Sequence, residues 1–403
     1  MRQQIGLFDL QLGDSLSKSN QPQAALALLK SARLSFQHLG DQDPTSRMNQ
    51  LMLVLADEKI GEALTKAGDP GALESYRSAA EVAGKLARSD PSNAVFQEAF
   101  AGGLKNLGTA LLADNKADEA LKTFQTEFAT RRQLAAADPA KIDRQTEVLD
   151  ARNRIADALD KQGKTAEAVE FNRETIAEGE HLAKKEPDNS SVAFALVSSS
   201  MRLCTAAVAQ KGSASVASDC ARPMEHLRRL IRLDPNNADY KKLLLDFEKL
   251  EKMLLDQQVQ AATEAGRYAE AMELQEQIAA RVEGEEAKSA GMPGKNTAGE
   301  LINLAWQALL AGDPSKAFAA CERSLALQAG DLYAEINRAH ALMYLDRGAE
   351  ARTVYEARKA DLFPDGKTWP QTVMEDFAEL RKAGREHPLM AHVEAALGIT
   401  GKP

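Results

Sequence analysis

The sequence predicts an all-α protein, a right-handed superhelical solenoid of antiparallel helix pairs closed by a C-terminal capping helix. Three observations predict it. An Asp/Glu-Pro corner recurs at Pro44, Pro91, Pro139, Pro187 and Pro235, with spacings of 47, 48, 48 and 48 residues, and such self-similarity marks a repeat architecture. Sixteen residues after each of the first four corners stands an aliphatic residue with a small neighbour: Ile60-Gly61, Leu107-Gly108, Ile155-Ala156 and Leu203-Cys204. Leu12-Gly13 fills the same columns one unit earlier. The composition also leans to helix. Hydrophobic residues make up 44% of the chain, with Ala and Leu prominent, and aromatics only 5%; Ala and Leu lose little in a helix, whereas strands favour β-branched and aromatic side chains.

Within a unit the pattern gives two helices. From Ser92 to Ala113 there is no proline, and Phe96, Phe100, Leu104, Leu107 and Leu111 recur at three- and four-residue steps, one apolar stripe of a helix. Asp114-Asn115-Lys116 interrupts it, as Gly68-Asp69-Pro70 and Gln162-Gly163-Lys164 do in neighbouring units. A second helix follows over Ala117–Ala137 and stops at Asp138-Pro139, because proline cannot donate to the preceding turn and restricts the residue before it. Ser92 or Asn93 is then the cap of the helix after Pro91. Ala25, Ala120 and Ala168 form a further small column thirteen residues past the aliphatic, and Ala72 comes one place early because GDPGALESY lacks one residue. The small columns predict close approach of the paired helices. Only eleven residues precede Leu12, so the first hairpin is expected to lack most of its first helix.

After Pro235 the register loosens. A longer helix is expected over Ala238–Glu264, a turn at Gly266-Arg267-Tyr268 and a partner helix over Ala269–Val282. The domain reading is a long-repeat array over 1–281, a charged Gly- and Pro-containing linker or loop over 282–297, and shorter hairpins over 298–368. In the last of these Asn303 and Asn337, Leu309 and Met343, and Ala317 and Ala351 are each 34 apart. Residues 369–403 are read as capping helices, with Val373, Phe377 and Leu380 on one face.

Charge and motif content narrow the function. The chain has 50 Lys+Arg against 59 Asp+Glu, a net of −9, which argues against a nucleic-acid partner. No apolar run is read as a membrane span. Asp9 and Asp14 interrupt any leader-like apolar stretch. The three cysteines, Cys204, Cys220 and Cys321, form no disulfide framework by their spacing, and the expected location is cytoplasmic. GMPGKNT at Gly291–Thr297 has Ser289 and Asn296 where a phosphate loop needs glycine and Ser/Thr, so it reads as linker. The six histidines lack metal-ligand spacing and read as helix-end or surface residues. Cys204 reads as a packing residue, and Trp306 and Trp369 as core anchors. No catalytic, cofactor-binding or metal-binding residue is expected, and the chain is read as a non-enzyme.

Two segments now carry a resemblance. NLAWQALLAGDPSKAFAACERSLAL and INRAHALMYLDRGAEARTVYEA resemble tetratricopeptide repeats: Trp306, Ala317 and Ala351 fit the signature, while Ala311 follows Leu310 where glycine is usual. The longer units resemble the elongated variant of bacterial proteins, whose units often end in an ADP or LDP corner. The resemblance covers nearly the whole chain and implies a protein-protein interaction scaffold whose first helices line a concave groove. Asn337-Arg338 matches one step of the carboxylate-holding subclass, but Ile302 and Trp306 stand at its Lys and Asn positions, so that clamp is broken. The groove positions two and five residues either side of the aliphatic give partner-binding candidates: Asp14, Glu58, Glu62, Lys105, Asp150, Asn153, Asp157 and Asp160, with Asn337 added from the later repeats. Lys105 is the one cation in that set, with Lys18, Lys66 and Lys161 just beyond it. If the acids share a face, their field steers a basic peptide or protein. The alternative is a sensor or oligomerisation module of a larger bacterial effector, a caspase-like peptidase or a kinase.

Overall fold

A computed structural model describes residues 1–209 and 224–398. It divides into two compact units, the first taking in Met1–Ala206 and Met224–Leu245 of the described residues, the second Ala207–Ala209 and the residues from Asp246 on. The first carries α1 (Arg2–Lys18), α2 (Pro22–Gln42), α3 (Arg47–Lys66), α4 (Ala72–Ser89), α5 (Ala94–Ala113), α6 (Ala117–Ala137), α7 (Ile142–Lys161), α8 (Thr165–Lys185), α9 (Ser190–Ala209) and α10 (Met224–Leu233). Helix α11 (Ala238–Glu264) contains the division. The second unit continues with α12 (Tyr268–Ala290), α13 (Lys295–Ala311), α14 (Pro314–Leu327), α15 (Leu332–Tyr344), α16 (Gly348–Ala357), α17 (Trp369–Lys382) and α18 (Pro388–Ala396). Short turns make consecutive helices antiparallel neighbours. In the first unit the second helix of each pair also packs on the first helix of the next, and α1, α3, α5 and α7 touch in sequence. The fold is an all-α array of helix pairs.

The corners act as expected. Asp43, Asp90, Asp138 and Glu186 are the C-caps of α2, α4, α6 and α8, each followed by the proline that ends the helix. A glutamine six residues on pins the corner in three units: the amide of Gln50 donates to the Pro44 carbonyl at 2.8 Å, Gln97 to Pro91 at 3.4 Å and Gln145 to Pro139 at 2.5 Å. Asn93 is the cap of α5, its Oδ1 accepting from the amides of Val95 and Phe96. The turn inside each pair needs one left-handed residue, supplied by Asn20, Gly68, Asn115 and Gly163 at φ of 60°, 68°, 59° and 75°; glycine and asparagine tolerate that region best.

Each small column faces a large one. A Cβ built on Gly13 would lie 2.7 Å from Leu29, and one on Gly61 would lie 2.6 Å from Tyr76. One on Gly108 would run into the Phe124 ring. In the fourth pair the small residue is Ala156, and the facing column holds the smaller Asn172. Ala25, Ala72, Ala120 and Ala168 are all buried. Charged side chains complete the seams: buried Asp57 accepts from Arg33 of α2 and Ser78 of α4. Buried Glu127 of α6 takes two bonds from Arg154 of α7, at 3.0 and 2.6 Å.

Several expectations change. Helix α1 has 17 residues against 20 in α3, so the first hairpin does not lack most of its first helix. The stretch 282–297 is helical to Ala290, leaving only four residues before α13. Its Glu, Ala and Lys residues are good helix formers, and the Arg281–Glu285 pair at 3.0 Å supports the last turns. The two compact units divide within α11. Helix α9 is long and apolar enough by composition to cross a membrane, although 61% of that window is buried inside the protein, as in a core helix. In the second unit Trp369, Val373, Phe377 and Leu380 are buried on one face of α17.

Replacing Gly61 with alanine should cost about 1–3 kcal/mol in urea unfolding, because the methyl group meets the Tyr76 ring. Adding Tyr76→Asn, which copies the Ala156–Asn172 arrangement, should recover part of that loss, with a coupling of about 0.5 kcal/mol or more. Strictly additive losses would place the ring elsewhere.

Candidate partner-binding face

The neighbouring first helices bring most of the candidate residues along one face of the first unit. Asp14 of α1 pairs with Lys59 of α3 at 3.1 Å and with its own Lys18 at 2.6 Å. Glu58 of α3 accepts from Asn106 of α5 at 3.4 Å. Asp157 of α7 pairs with Arg202 of α9, the second bond at 2.8 Å. Glu62 is held by Lys59 at 2.9 Å. Lys105 is exposed on α5, within electrostatic reach of both Glu58 and Asp150.

Lys105 is therefore not the lone cation of the face. Lys59, Asn106, Arg154 and Arg202 all stand one residue before the aliphatic, a column that the two-and-five count passes over. Three of the four reach across to the preceding first helix, Lys59 to Asp14, Asn106 to Glu58 and Arg202 to Asp157, while Arg154 turns to Glu127 of α6. Asn153 and Asn337 are not on the surface. Asn153 is buried, donating to the Ala195 carbonyl at 3.3 Å and accepting from Ser199 at 2.6 Å, a strut between α7 and α9. Asn337, in the second unit, is buried and donates to the Ile302 carbonyl at 3.3 Å. Lys66 donates to the Ser17 carbonyl at 2.9 Å, at the C-terminal end of α1.

The carboxylates then separate into two kinds. For Asp14, burial is outweighed by Lys18 and Lys59, which hold its carboxyl below the usual range. Glu58, Asp150 and Asp160 have no ion-pair partner among the described residues. Burial, reinforced by Glu62, pushes Glu58 up to about 7 against the pull of Lys105, Lys59 and Asn106. Burial likewise raises Asp150 in spite of Arg154 and Lys105, and burial with Asp157 raises Asp160. These three groups would gain from a cation brought to them.

The remaining sequence candidates resolve differently. The backbone amides of GMPGKNT at the start of α13 do form an anion site, but the chain fills it itself. The Glu286 carboxylate accepts from the amides of Gly294 (2.7 Å), Asn296 (3.1 Å) and Thr297 (3.0 Å), and from the Thr297 hydroxyl at 2.6 Å. Thr297 first, then these amides, hold it down to about 2. His340 is neither at a helix end nor on the surface. It is fully buried, bonded to the Tyr355 hydroxyl at 2.6 Å and Asp376 at 3.1 Å, a polar knot joining α15, α16 and α17. Cys321 is buried and its thiol is pushed up to about 12, which leaves no reactive thiolate near neutral pH. Cys204 is buried as expected but takes part in a disulfide, which its spacing did not suggest. Cys220 lies outside the described residues. Trp369 is fully buried, and Trp306 packs on the same core.

Two pH responses follow. A carboxyl raised in the folded state contributes stability below its unfolded value that is lost as pH climbs through the folded one. Glu58→Gln should therefore gain on the natural protein between pH 4.5 and about 7 and stay level beyond, by about 1–3 kcal/mol after solvent screening. Glu286 has the opposite sign: its lowered carboxyl stabilises above 4.5 and loses that contribution as pH falls toward about 2. Glu286→Gln should then lower stability at neutral pH and flatten the acid limb of an unfolding series. Parallel acid limbs would show that the carboxylate does not hold the start of α13.

No family model matches the chain, and no curated protein matches it. Among solved structures it is similar to a Podosopora anserina putative kinesin light chain with nearly identical TPR-like repeats, at 18% identity and a TM-score of 0.41, over 59% of this chain and 99% of that one. It is also similar to a tetratricopeptide repeat protein from Parabacteroides merdae, at 11% identity and a TM-score of 0.31, over 84% and 99%. A Rap protein complexed with Competence and Sporulation Factor gives 12% identity and a TM-score of 0.34, over 98% and 99%. Such distant likenesses carry no conclusion about this chain. Its fold rests on its own helix pairs and columns: an all-α array of antiparallel helix pairs.

Proposed function

We propose that the first unit is a non-catalytic scaffold that holds a basic peptide or protein segment along the face of α1, α3, α5 and α7. The carrying observation is the trio Glu58 of α3 and Asp150 and Asp160 of α7, carboxyls on first helices either side of α5 with no cation within ion-pair distance among the described residues. Lysine or arginine side chains on a bound segment would supply that charge, and an acidic group on it would meet Lys105. Asp14, Glu62 and Asp157 contribute less, because Lys59 and Arg202 already answer them. Asn153 and Asn337 serve the packing and not the partner.

A lysine decapeptide titrated into the full chain tests this across pH 5.5–8.5 and a salt series. Binding should tighten as pH rises through about 7, where Glu58 ionises, and weaken with salt. The triple variant Glu58→Gln/Asp150→Asn/Asp160→Asn should bind several-fold more weakly, with a shallower salt slope. The same affinity and slope in that variant would move the partner off this face.

A further inference from the structure

Helix α5 carries three glycines in its interior, Gly102, Gly103 and Gly108, although glycine weakens a helix through the backbone freedom it loses on folding. Packing accounts for two of them. A Cβ on Gly103 would lie 3.1 Å from the Ala80 backbone of α4, and one on Gly108 would run into the Phe124 ring of α6. Gly102 is different. A Cβ there would have one neighbour within 4 Å, the Glu58 Oε1 of α3 at 3.7 Å, an ordinary contact distance. Its backbone lies in regular helix and not in the left-handed region that favours glycine. Neither packing nor backbone geometry asks for this residue. The remaining use of a glycine is to let a ligand come close to the helix backbone.

Gly102 stands on the face proposed above to hold a basic segment. It occupies the column five residues before the aliphatic, which holds Leu55 in α3, Asp150 in α7 and Ser198 in α9. The row of side chains is thus interrupted at α5, with Glu58 leaning over the interruption. The Glu58 carboxylate takes a single hydrogen bond among the described residues, from Asn106 one turn along α5 at 3.4 Å. The charged groups that bear on it are Glu62 and Lys59 of its own helix and Lys105 of α5. Lys59 is taken up by Asp14 and Glu62.

A cation from outside would complete Glu58, and the bare stretch of α5 at Gly102 is the way in. Lysine and arginine carry their charge at the end of an apolar stem that packs along a protein surface. We propose that Gly102 is the floor of a socket for one lysine or arginine side chain of the partner, its stem on the α5 backbone and its charged end at Glu58. This inference rests on the reading of the face as a binder of basic segments, and it fixes where one of the partner's cations is seated.

The lysine decapeptide titrated into variants of the full chain tests the socket. Gly102→Ala should fold with a raised melting temperature, as replacing a helix-interior glycine without a clash does, and should bind more weakly. Gly102→Leu, which copies Leu55, should weaken binding at least roughly tenfold, the size expected for loss of a hot-spot contact. It should also lose the tightening through about pH 7, because the bound cation no longer reaches Glu58. Thr109→Leu, two turns further along the same helix and exposed, adds apolar bulk away from Glu58 and should leave both unchanged. If Gly102→Leu binds as the natural chain does while Glu58→Gln/Asp150→Asn/Asp160→Asn binds weakly, the socket is wrong and the reading of the face stands. An equal loss in Thr109→Leu also overturns the socket, since bulk elsewhere on the helix would then suffice. No binding by the natural chain overturns both.

Discussion

The fit between a small residue on one helix and a large one on its partner sets the distance at which each pair closes. Gly13 under Leu29, Gly61 under Tyr76 and Gly108 under Phe124 are three versions of one contact. With that spacing fixed, the buried alanine column can lie flat between the helices, and the second helix presents the rest of its surface to the next pair. Apolar packing is strong but undirected. The steric limit at one glycine decides which of many packed arrangements is reached.

Charge works on a second scale. Buried Asp57 and Glu127 are each anchored by an arginine from a neighbouring pair, so losing one partner would strand a charge in the interior. Their main contribution is therefore to register between pairs. On the face of the first helices the same chemistry is looser, and the column before the aliphatic answers some acids and leaves others. Which carboxylates on this face stay unpaired depends on which acids that column reaches.

Much of the fold was legible because periodicity is a global signal. Helices α6 and α11 begin and end where the proline corners and turn residues place them. The site was legible only in part. Counting positions from the aliphatic residue picked out Glu58 and Asp150, but it could not separate an outward side chain from an inward one. Asn153 fell inside because Ser199 and the Ala195 carbonyl lie across from it, and nothing local to Asn153 announces them. His340 was misplaced for the same reason, since Tyr355 and Asp376 come from other helices. Glu286 escaped because a loop rich in glycine looks open until the carboxylate that closes it is seen.

The repeat formed by α3 and α4 is one residue shorter than its neighbours, and the shortfall lies in the turn after Gly68. The Asp69 amide still donates to the Leu64 carbonyl at 2.9 Å, as Lys116 does to Leu111 at 2.8 Å and Lys164 to Leu159 at 2.9 Å. The missing residue is thus confined between Asp69 and Ala72, and Tyr76 still reaches Gly61. The same loss inside a helix would rotate everything beyond it by about 100° and turn its apolar stripe away from the core. Length variation among sequences built on this plan should therefore collect in these turns, where a residue can come or go without disturbing the helices on either side.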